Sequence, residues 1–311
     1  MSSGADTGQY RGRFAPSPTG PLHFGSLVAA VGSFLQARSV QGEWLVRIED
    51  IDPPREQPGA TAQILAALES FGLEWDGALL YQSSRYDTYR SVVSDLIRQG
   101  NAYPCTCTRS EIRAHNLRHT GSASTRYPGI CREGVSHPGR RPAIRLNVPS
   151  VAIQFEDREV GSYCQNIAEV GGDFALRRRD DLYAYQLAVV VDDAEQEITE
   201  VVRGQDLLEL TPGQIYLQQV LGLTTPDYLH LPLVKTSAGE KLSKQTGALP
   251  LDLARTSELL HSALAFLNLS PEAEQRHAAV TEQLSWAIDK WPDRSCGSTM
   301  ESASGGASAL E

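Results

Sequence analysis

The 311-residue chain has few of the features that mark membrane, secreted or disulfide-stapled proteins. Hydrophobic residues make up 41% of it, yet no apolar run approaches the roughly 20 residues that span a bilayer. The first residues lack the basic and apolar regions of a signal peptide. Five cysteines do not suggest a disulfide framework in a chain of this size, so we expect a cytoplasmic protein with metal-bound, reactive or buried thiols and no membrane partner.

Net positive charge is also missing, since the formal net charge at pH 7 is −10. This balance argues against a protein that coats nucleic acids indiscriminately. A local RNA-binding face is still compatible with an acidic body. Candidate basic clusters lie at residues 109–118, 140–141 and 177–179, although a solvated surface is the simpler interpretation of each.

The pattern near the N-terminus predicts a strand over residues 10–15, a helix from Gly25 to about Arg38 and a second strand from Trp44 to Ile48. A strand–helix–strand unit of this kind is typical of an α/β fold with parallel strands, and 311 residues suffice for one large or two modest domains. Open α/β sheets bind ligands at the carboxyl ends of their strands. The turn that contains His23 follows the first strand, which makes it the first candidate site.

Further along the chain the composition and the hydrophobic pattern change several times. Residues 183–191 form an apolar run suited to a buried region, and after residue 244 we expect helices with a core face of Leu253, Leu259, Leu260, Leu264 and Phe266. The predicted divisions are a catalytic core in two halves (8–99 and 181–235), an insertion (100–180), a lysine-containing loop with a helical region (236–294) and a disordered tail (295–311).

Two short motifs carry the chemistry of phosphate recognition. In the first, His23 can donate a hydrogen bond from its ring, Gly25 allows close approach of a nucleotide, and the helix N-terminus at Ser26 attracts negative charge. In the second, Lys241 and Lys244 can neutralise charge that develops on phosphoryl oxygens. Either motif alone is weak, because a lone histidine after a turn is more often a helix cap and paired lysines are common on surfaces.

Together these motifs resemble the two ATP signatures of class I aminoacyl-tRNA synthetases, here as His23-Phe-Gly-Ser26 and Lys241-Leu-Ser-Lys-Gln245. The preceding Arg13-Phe-Ala-Pro-Ser-Pro-Thr-Gly20 is similar to the glutamate-type members, and the likeness runs from about residue 11 to 244. It implies a Rossmann-like catalytic core that uses ATP with Mg²⁺. The implied catalytic residues are His23 and Lys244, and the implied ATP-binding residues are His23, Gly25, Ser26, Lys241, Ser243 and Lys244. Phe24, Ser26, Leu242 and Gln245 depart from the usual signatures, and Gln245 removes a hydroxyl from the second one.

The same resemblance implies a site for L-glutamate. Arg13 suits a bidentate pair with a carboxylate, Glu49 could hold the substrate ammonium, and Arg203 would provide a second cation. Two arginines and one acidic residue match a substrate with two carboxylates and one amine, although any one of them alone would more simply be a salt-bridge partner. The full implied set is Arg13, Phe14, Ala15, Pro16, Ser17, Glu49, Tyr185 and Arg203.

Three cysteines lie close in sequence within the predicted insertion. Cys105, Cys107 and Cys131 offer thiolate ligands for a closed structural Zn²⁺ site, one ion per chain. The residues alone leave the fourth ligand open, because His115, His119 and His137 lie nearby. The resemblance implies Tyr127 instead. The alternative is a set of reduced, buried thiols without a metal.

The 67 residues after Lys244 leave no room for the helical region with which glutamyl-tRNA synthetases read the anticodon. A shortened core with these cysteines resembles the glutamyl-queuosine tRNA(Asp) synthetase family. The resemblance implies transfer of activated glutamate to the queuosine base at the wobble position of tRNA(Asp), by a protein expected to be a monomer. Three alternatives stay open: a minimal glutamyl-tRNA synthetase that charges tRNA(Glu), a catalytically idle binding paralogue, and a small-molecule nucleotidyltransferase.

Overall fold

A computed structural model of the protein describes residues 9–235 and 249–293. Within these ranges the fold is mixed α/β, as the sequence predicts. The strands are β1 (Arg11–Phe14), β2 (Glu43–Ile48), β3 (Leu80–Tyr81), β4 (Ala102–Cys105), β5 (Ala143–Leu146), β6 (Ala152–Asp157), β7 (Gly161–Asn166), β8 (Ala175–Arg177), β9 (Glu200–Gly204) and β10 (Asp227–Leu231). The helices are α1 (Phe24–Ser39), α2 (Ala60–Ser70), α3 (Tyr86–Arg98), α4 (Arg109–Thr120), α5 (Ile167–Val170), α6 (Tyr185–Glu195), α7 (Thr211–Leu221), α8 (Thr256–Phe266) and α9 (Val280–Lys290).

Parallel strands form the centre of the fold. β1, β2 and β3 pair in that order, β9 pairs with β10, and every one of these pairings is parallel. The two groups meet at β1 and β9, where Thr199 N donates to Arg11 O at 2.9 Å and Arg13 Nη1 lies 3.4 Å from Val202 O. The resulting strand order is β3-β2-β1-β9-β10. The chain adds strands outward in one direction from β1 and in the opposite direction from β9, and a ligand crevice is expected at the point between them where the order of connection reverses.

Helix α1 covers the sheet with an almost wholly apolar buried face that includes Leu27, Val31 and Leu35. Close contact with the sheet requires Gly32, because a Cβ at this position would lie 2.5 Å from Leu231 Cδ1. The packing of α1 on β1 and β10 thereby holds the helix N-terminus against the carboxyl ends of these strands.

Residues 100–180, the predicted insertion, contain two different structures. β4, β5 and β8 form a separate antiparallel sheet. β6 and β7 form an antiparallel hairpin, and Tyr228 of β10 pairs with Asp157 of β6, so the hairpin continues the central sheet. Residues 100–180 therefore contribute strands to both sheets.

The C-terminal helical region packs on α1 through buried residues that include Leu259, Leu260 and Leu264. Trp291 Nε1 also donates to Gln36 Oε1 at 2.6 Å. The assignment of Leu253 to this core is wrong: it lies in a short 3₁₀ turn before α8 and is 42% exposed. Since α8 begins only at Thr256, the helical spacing does not extend back to Leu253.

None of the helices in residues 9–235 and 249–293 has the length and apolarity to cross a membrane. The predicted disordered tail (295–311) lies outside the described residues.

Candidate functional site

A cavity of about 560 Å³ opens at the carboxyl ends of β1 and β10. Its walls come from the turn after β1, the start of α1, the residues after β9 and the residues after β10. Six residues predicted from the sequence line it, namely Phe14, Pro16, Ser17, His23, Gly25 and Ser26. Residues that the sequence did not single out also line it, including Arg55, Gly204, Asp206, Leu231 and Val234.

His23 occupies the N-cap of α1. Its backbone is extended, with φ −116° and ψ 173°, and its Nδ1 accepts the Ser26 N–H at 3.3 Å. Because Nδ1 is an acceptor, the proton of a neutral ring resides on Nε2. Capping and hydrogen-bond donation are therefore compatible in the same side chain, and the helix N-terminus adds its own partial positive charge at the cavity.

Lys241, Ser243 and Lys244 lie outside the described residues. The described residues on either side of this segment border the cavity. Val234 lines it, and Leu251 N donates at 3.1 Å to the carbonyl of Leu22, another lining residue.

The predicted glutamate ligand Arg13 is buried and already has a carboxylate partner. Its Nε lies 3.0 Å from Asp193 Oδ1 and its Nη2 lies 3.2 Å from Asp193 Oδ2, a bidentate geometry. Arg47, fully buried on β2, donates from Nη2 to Asp193 Oδ1 at 2.7 Å. Burial opposes ionisation of Asp193, but the two arginines hold its pKa below the ordinary value.

Glu49 follows β2 and is 7% exposed. Burial raises its pKa to about 7, against the opposing attraction of Arg47 and Arg13. Its Oε1 lies 3.7 Å from Arg47 Nη2, which is beyond hydrogen-bond distance, and accepts no hydrogen bond among the described residues. Its backbone N–H donates to Pro16 O at 3.0 Å, which ties Glu49 to the turn after β1.

Tyr185 and Arg203 come together although they are 18 residues apart: Arg203 Nη1 lies 3.3 Å from Tyr185 Oη. Arg203 Nη2 donates to Thr211 Oγ1 and to Gln214 Oε1, each at 2.8 Å. Burial raises the pKa of Tyr185, so it is a neutral phenol that can accept from the arginine.

The eight predicted glutamate residues thus fall into two groups. Phe14, Pro16 and Ser17 line the cavity, and Ala15 lies between them in the same turn. Arg13, Glu49, Tyr185 and Arg203 lie in the buried polar layer beside it. Arg47, Asp193, Asp157 and His230 complete this layer, and they were not singled out from the sequence. The signal that could have indicated them is the presence of charged residues inside apolar strands and at the end of the apolar run 183–191.

A second site lies in the antiparallel sheet. The sulfur atoms of Cys105, Cys107 and Cys131 all lie within 4.8 Å of one another, and all three residues are buried. Tyr127 Oη is 3.2 Å from Cys105 Sγ and 3.8 Å from Cys107 Sγ, and it accepts the Cys131 N–H at 2.9 Å. Cys107 Sγ and Cys131 Sγ are 3.5 Å apart.

The separations of 3.5 Å and 3.8 Å are close to those expected around a tetrahedral metal ion, and the 3.2 Å between Tyr127 Oη and Cys105 Sγ is shorter. With Zn–S near 2.3 Å and Zn–O near 2.0 Å, neighbouring ligand atoms are about 3.5–3.8 Å apart. Burial raises the pKa of Cys107 to about 11; burial acts in the same sense on Cys131, but hydrogen bonds from Ser136 and Tyr127 lower its pKa to about 6. A cation bound among the sulfurs would offset the cost of ionising the remaining ligands.

The structure favours Tyr127 over the histidines as the fourth candidate ligand. His137 Nε2 pairs with Glu111 Oε1 at 3.2 Å, and His115 and His119 stack on each other with ring centroids 4.0 Å apart. None of the three joins the metal-ligating group found among the described residues. The Tyr127 backbone lies directly against Gly172, where a Cβ would be 2.0 Å from the Tyr127 carbonyl oxygen, so only glycine permits this approach.

Two of the three basic clusters, 140–141 and 177–179, form ion pairs within the protein. Arg140 Nη1 contacts Glu111 Oε1 at 2.7 Å, and Arg141 pairs with Asp181. Arg178 contacts Asp52 at 3.1 Å as well as Asp180. These ion pairs favour the interpretation of these two clusters as structured surface.

Comparison with known proteins agrees with this architecture. Residues 9–281 match the family described as tRNA synthetases class I (E and Q), catalytic domain. The chain is 50% identical over 283 residues to glutamyl-Q tRNA(Asp) synthetase of Pseudomonas fluorescens, covering 91% of this chain and 92% of that protein. It is 52% identical over 285 residues to the glutamyl-Q tRNA(Asp) synthetase of Neisseria meningitidis serogroup C, covering 91% and 95%.

Solved structures with similar folds include two synthetases. A glutamate tRNA ligase from Elizabethkingia meningosepticum, in complex with its amino acid, superposes with a TM-score of 0.74 at 27% identity, and the alignment covers 89% of this chain. The chain spans 64% of the length of that ligase. A glutamate-tRNA synthetase from Elizabethkingia anophelis gives a TM-score of 0.75 at 26% identity, over 94% of this chain and 68% of that one. The chain belongs to the glutamyl-Q tRNA(Asp) synthetase family, whose catalytic domain is that of class I glutamyl- and glutaminyl-tRNA synthetases.

Proposed function

We propose that this enzyme activates L-glutamate with ATP and transfers the glutamyl group to the queuosine base at the wobble position of tRNA(Asp). The observation that carries the proposal is the polar layer beside the cavity at the ends of β1, β9 and β10, together with membership of the family. The layer contains cations for two carboxylates and the buried carboxylate of Glu49, whose Oε1 lacks a hydrogen-bond partner among the described residues.

The first step joins a glutamate carboxylate oxygen to the α-phosphorus of ATP and releases pyrophosphate. His23 donates from Nε2 and the α1 N-terminus contributes backbone N–H groups toward the phosphates, with Gly25 and Ser26 in the first turn. Lys241, Ser243 and Lys244 complete the ATP site in this proposal. Mg²⁺ bound with the triphosphate would neutralise part of its negative charge.

Glu49 and the arginines orient the amino acid. A substrate ammonium beside Glu49 Oε1 gives that buried oxygen the partner it lacks, and stabilises the ionised carboxylate. The Nε and Nη2 nitrogens of Arg13 and Arg203 bind protein acceptors. Each Nη1 also donates once to the protein, to Val202 O or Tyr185 Oη, so its second N–H is the donor that we assign to a carboxylate oxygen. Main-chain and side-chain groups of residues 14–17 form the adjoining wall.

In the second step a hydroxyl of queuosine attacks the glutamyl carbonyl, and AMP leaves. The anticodon loop is the natural docking target, because its unpaired bases are recognised by shape, stacking and phosphate contacts. Since tRNA and ATP are cytoplasmic, we place the reaction in the cytoplasm and propose that the enzyme acts as a monomer.

We also propose that Cys105, Cys107, Tyr127 and Cys131 hold one Zn²⁺ ion in a structural role. Such an ion, when bound, fixes the chain between β4 and β5, where the local core is small: Tyr103, Ile112 and the ligands themselves make up most of it.

Glutamate-dependent exchange of pyrophosphate into ATP tests the first step. The proposal predicts exchange with glutamate and none with aspartate or glutamine. A protein that is folded, binds ATP and shows no exchange with glutamate would be an idle paralogue. Charging of unmodified tRNA(Glu) would instead establish a minimal glutamyl-tRNA synthetase.

A further inference from the structure

Three neighbouring strands contribute to a buried chain of polar side chains below Arg203. Asp157 at the end of β6, His230 on β10 and Arg203 on β9 are 3%, 0% and 6% exposed. His230 Nδ1 lies 2.6 Å from Asp157 Oδ2, and His230 Nε2 lies 3.1 Å from Arg203 Nε.

The arginine determines the tautomer of His230. Arg203 has only donors, so at Nε it must donate, and the facing His230 Nε2 must accept. The proton of the neutral ring therefore resides on Nδ1, where Asp157 Oδ2 accepts it. Asp157 also accepts backbone N–H groups from Glu159 at 3.0 Å and Val160 at 2.9 Å.

The charges around His230 favour its neutral form. Burial is the main cause that lowers its pKa, Asp157 opposes this effect, and Arg203 and Arg13 lower it further. Asp157 stays ionised: burial opposes this, but the hydrogen bonds from His230 and the backbone lower its pKa. A protonated ring would place an N–H against the Arg203 Nε–H and abolish the hydrogen bond between His230 and Arg203.

Arg203 is consequently held on three sides. His230 Nε2 accepts from Nε, and Thr211 and Gln214 accept from Nη2. Nη1 donates to Tyr185 Oη, and its second N–H has no acceptor among the residues that the structure describes. The direction of that N–H depends on the rotation of the guanidinium plane, which the hydrogen bond to His230 fixes together with those to Thr211 and Gln214.

We propose that His230, locked as the Nδ1–H tautomer by Asp157, is the positioning residue that aims Arg203 at a carboxylate of the amino-acid substrate. This inference rests on the proposed activation of a dicarboxylic amino acid. His230 itself does not contact the substrate; it acts through Arg203, both directly and by way of Thr211, whose Oγ1 lies 3.1 Å from His230 Nε2 and accepts from Arg203 Nη2. Its effect should thus be confined to recognition of the amino acid and absent from recognition of ATP.

Two near-isosteric substitutions separate the two hydrogen bonds of His230, the one to Asp157 and the one to Arg203. In His230→Asn the side-chain amide takes the place of Nδ1, so the donor to Asp157 is kept and the acceptor for Arg203 is lost. In His230→Gln the side-chain oxygen takes the place of Nε2, so the acceptor for Arg203 is kept and the donor to Asp157 is lost. Each variant leaves one buried polar group without its partner, so both should lose stability.

The experiment is pyrophosphate–ATP exchange by the full-length protein, with KM measured separately for glutamate and ATP. We expect His230→Asn to raise the KM for glutamate about 10-fold or more, as for a lost hydrogen bond to a charged group, and to leave the KM for ATP within about 2-fold. His230→Gln should raise the KM for glutamate by much less. The exposed His277→Asn is the matched control. Equal effects of the two His230 variants, or parallel changes in both KM values, would overturn the proposal and indicate a merely structural role.

The tautomer is measured independently of activity by ¹⁵N–¹H spectroscopy of the histidine rings, with His230 assigned from the signal missing in His230→Gln. We expect an Nδ1–H ring that does not titrate between pH 6 and 8. An Nε2–H ring, or a ring that titrates in this range, contradicts the inference. If the wild-type protein shows no glutamate-dependent exchange, the proposed function fails, and this spectrum still decides whether Asp157 and Arg203 lock the ring.

Discussion

The guanidinium of Arg13 forms a bidentate ion pair with the carboxylate of Asp193, 180 residues further along the chain. Arg47 donates to the same carboxylate, so one buried anion holds two buried cations. The fork of Arg13 that would suit a substrate carboxylate is therefore engaged by the protein. Its role in glutamate binding then depends on Nη1, which lies 3.4 Å from Val202 O and has a second N–H.

Asp193→Asn should destabilise the protein strongly, because Arg13 and Arg47 would remain buried without the carboxylate that pairs with both of them. The expected loss is about 3–5 kcal/mol in the free energy of unfolding, measured by urea denaturation. The exposed Asp289→Asn is the control and should change stability by less than about 0.5 kcal/mol. Equal stability of the two variants would mean that the Asp193 pair contributes little.

Glu49 should couple glutamate binding to proton release. Burial raises its pKa to about 7, so near that pH about half of the unliganded molecules carry the proton, and pairing with an ammonium expels it. Calorimetry in buffers of different ionisation enthalpy should show release of roughly half a proton per glutamate at pH 7. Glu49→Gln, which cannot ionise, should bind more weakly and release none.

The same raised pKa has a consequence for stability in the absence of glutamate. The folded state holds the Glu49 proton more tightly than the unfolded state does. The contribution of Glu49 to the free energy of unfolding is therefore greatest below pH 4.5 and is lost as the pH rises through about 7. Glu49→Gln should flatten this part of the stability profile. An unchanged profile would contradict the raised pKa.

His23 has two roles that can be separated by substitution. His23→Asn keeps an N-cap acceptor for the Ser26 N–H but lacks the Nε2 donor, whereas His23→Ala loses both. Both should reduce pyrophosphate exchange by about 10²–10³-fold, as for loss of one transition-state donor. Only His23→Ala should also lose about 0.5–2 kcal/mol of stability. Lys244→Ala should reduce exchange by a comparable factor and leave the fold intact. Near-normal exchange in both His23→Ala and Lys244→Ala would refute the assignment of the ATP site.

The cysteine cluster predicts about one zinc ion per chain, detected by elemental analysis of the purified protein. Cys105→Ser and Cys131→Ser should lose the metal, and the exposed Cys164→Ser should keep it. Tyr127→Phe should weaken zinc binding more than His137→Ala, because Tyr127 Oη is the atom that faces the sulfurs. Folded protein without metal would leave the cluster as reduced, buried thiols.

Local sequence patterns predicted the parts of the site that depend on short stretches of chain. The turn with His23, the helix after it and the Cys105–Cys107 pair are all encoded within a few residues. The polar layer is different. Arg13 meets Asp193 only because β1 packs beside β9 and α6, and Asp157 meets His230 only through the pairing of β6 with β10. Nothing in the spacing of these residues indicates such partners, so Arg13 was expected to pair with substrate and His230 was not singled out.

The central claim is that glutamate is transferred to queuosine, and the most direct test is to locate labelled glutamate on tRNA. The protein is incubated with ATP, labelled glutamate and bulk bacterial tRNA with or without queuosine, and the label is mapped by nuclease digestion. We predict label in the anticodon loop of queuosine-containing tRNA(Asp) and none in tRNA that lacks queuosine. Label on the 3′ adenosine of tRNA(Glu) would contradict the account and make the protein a minimal glutamyl-tRNA synthetase.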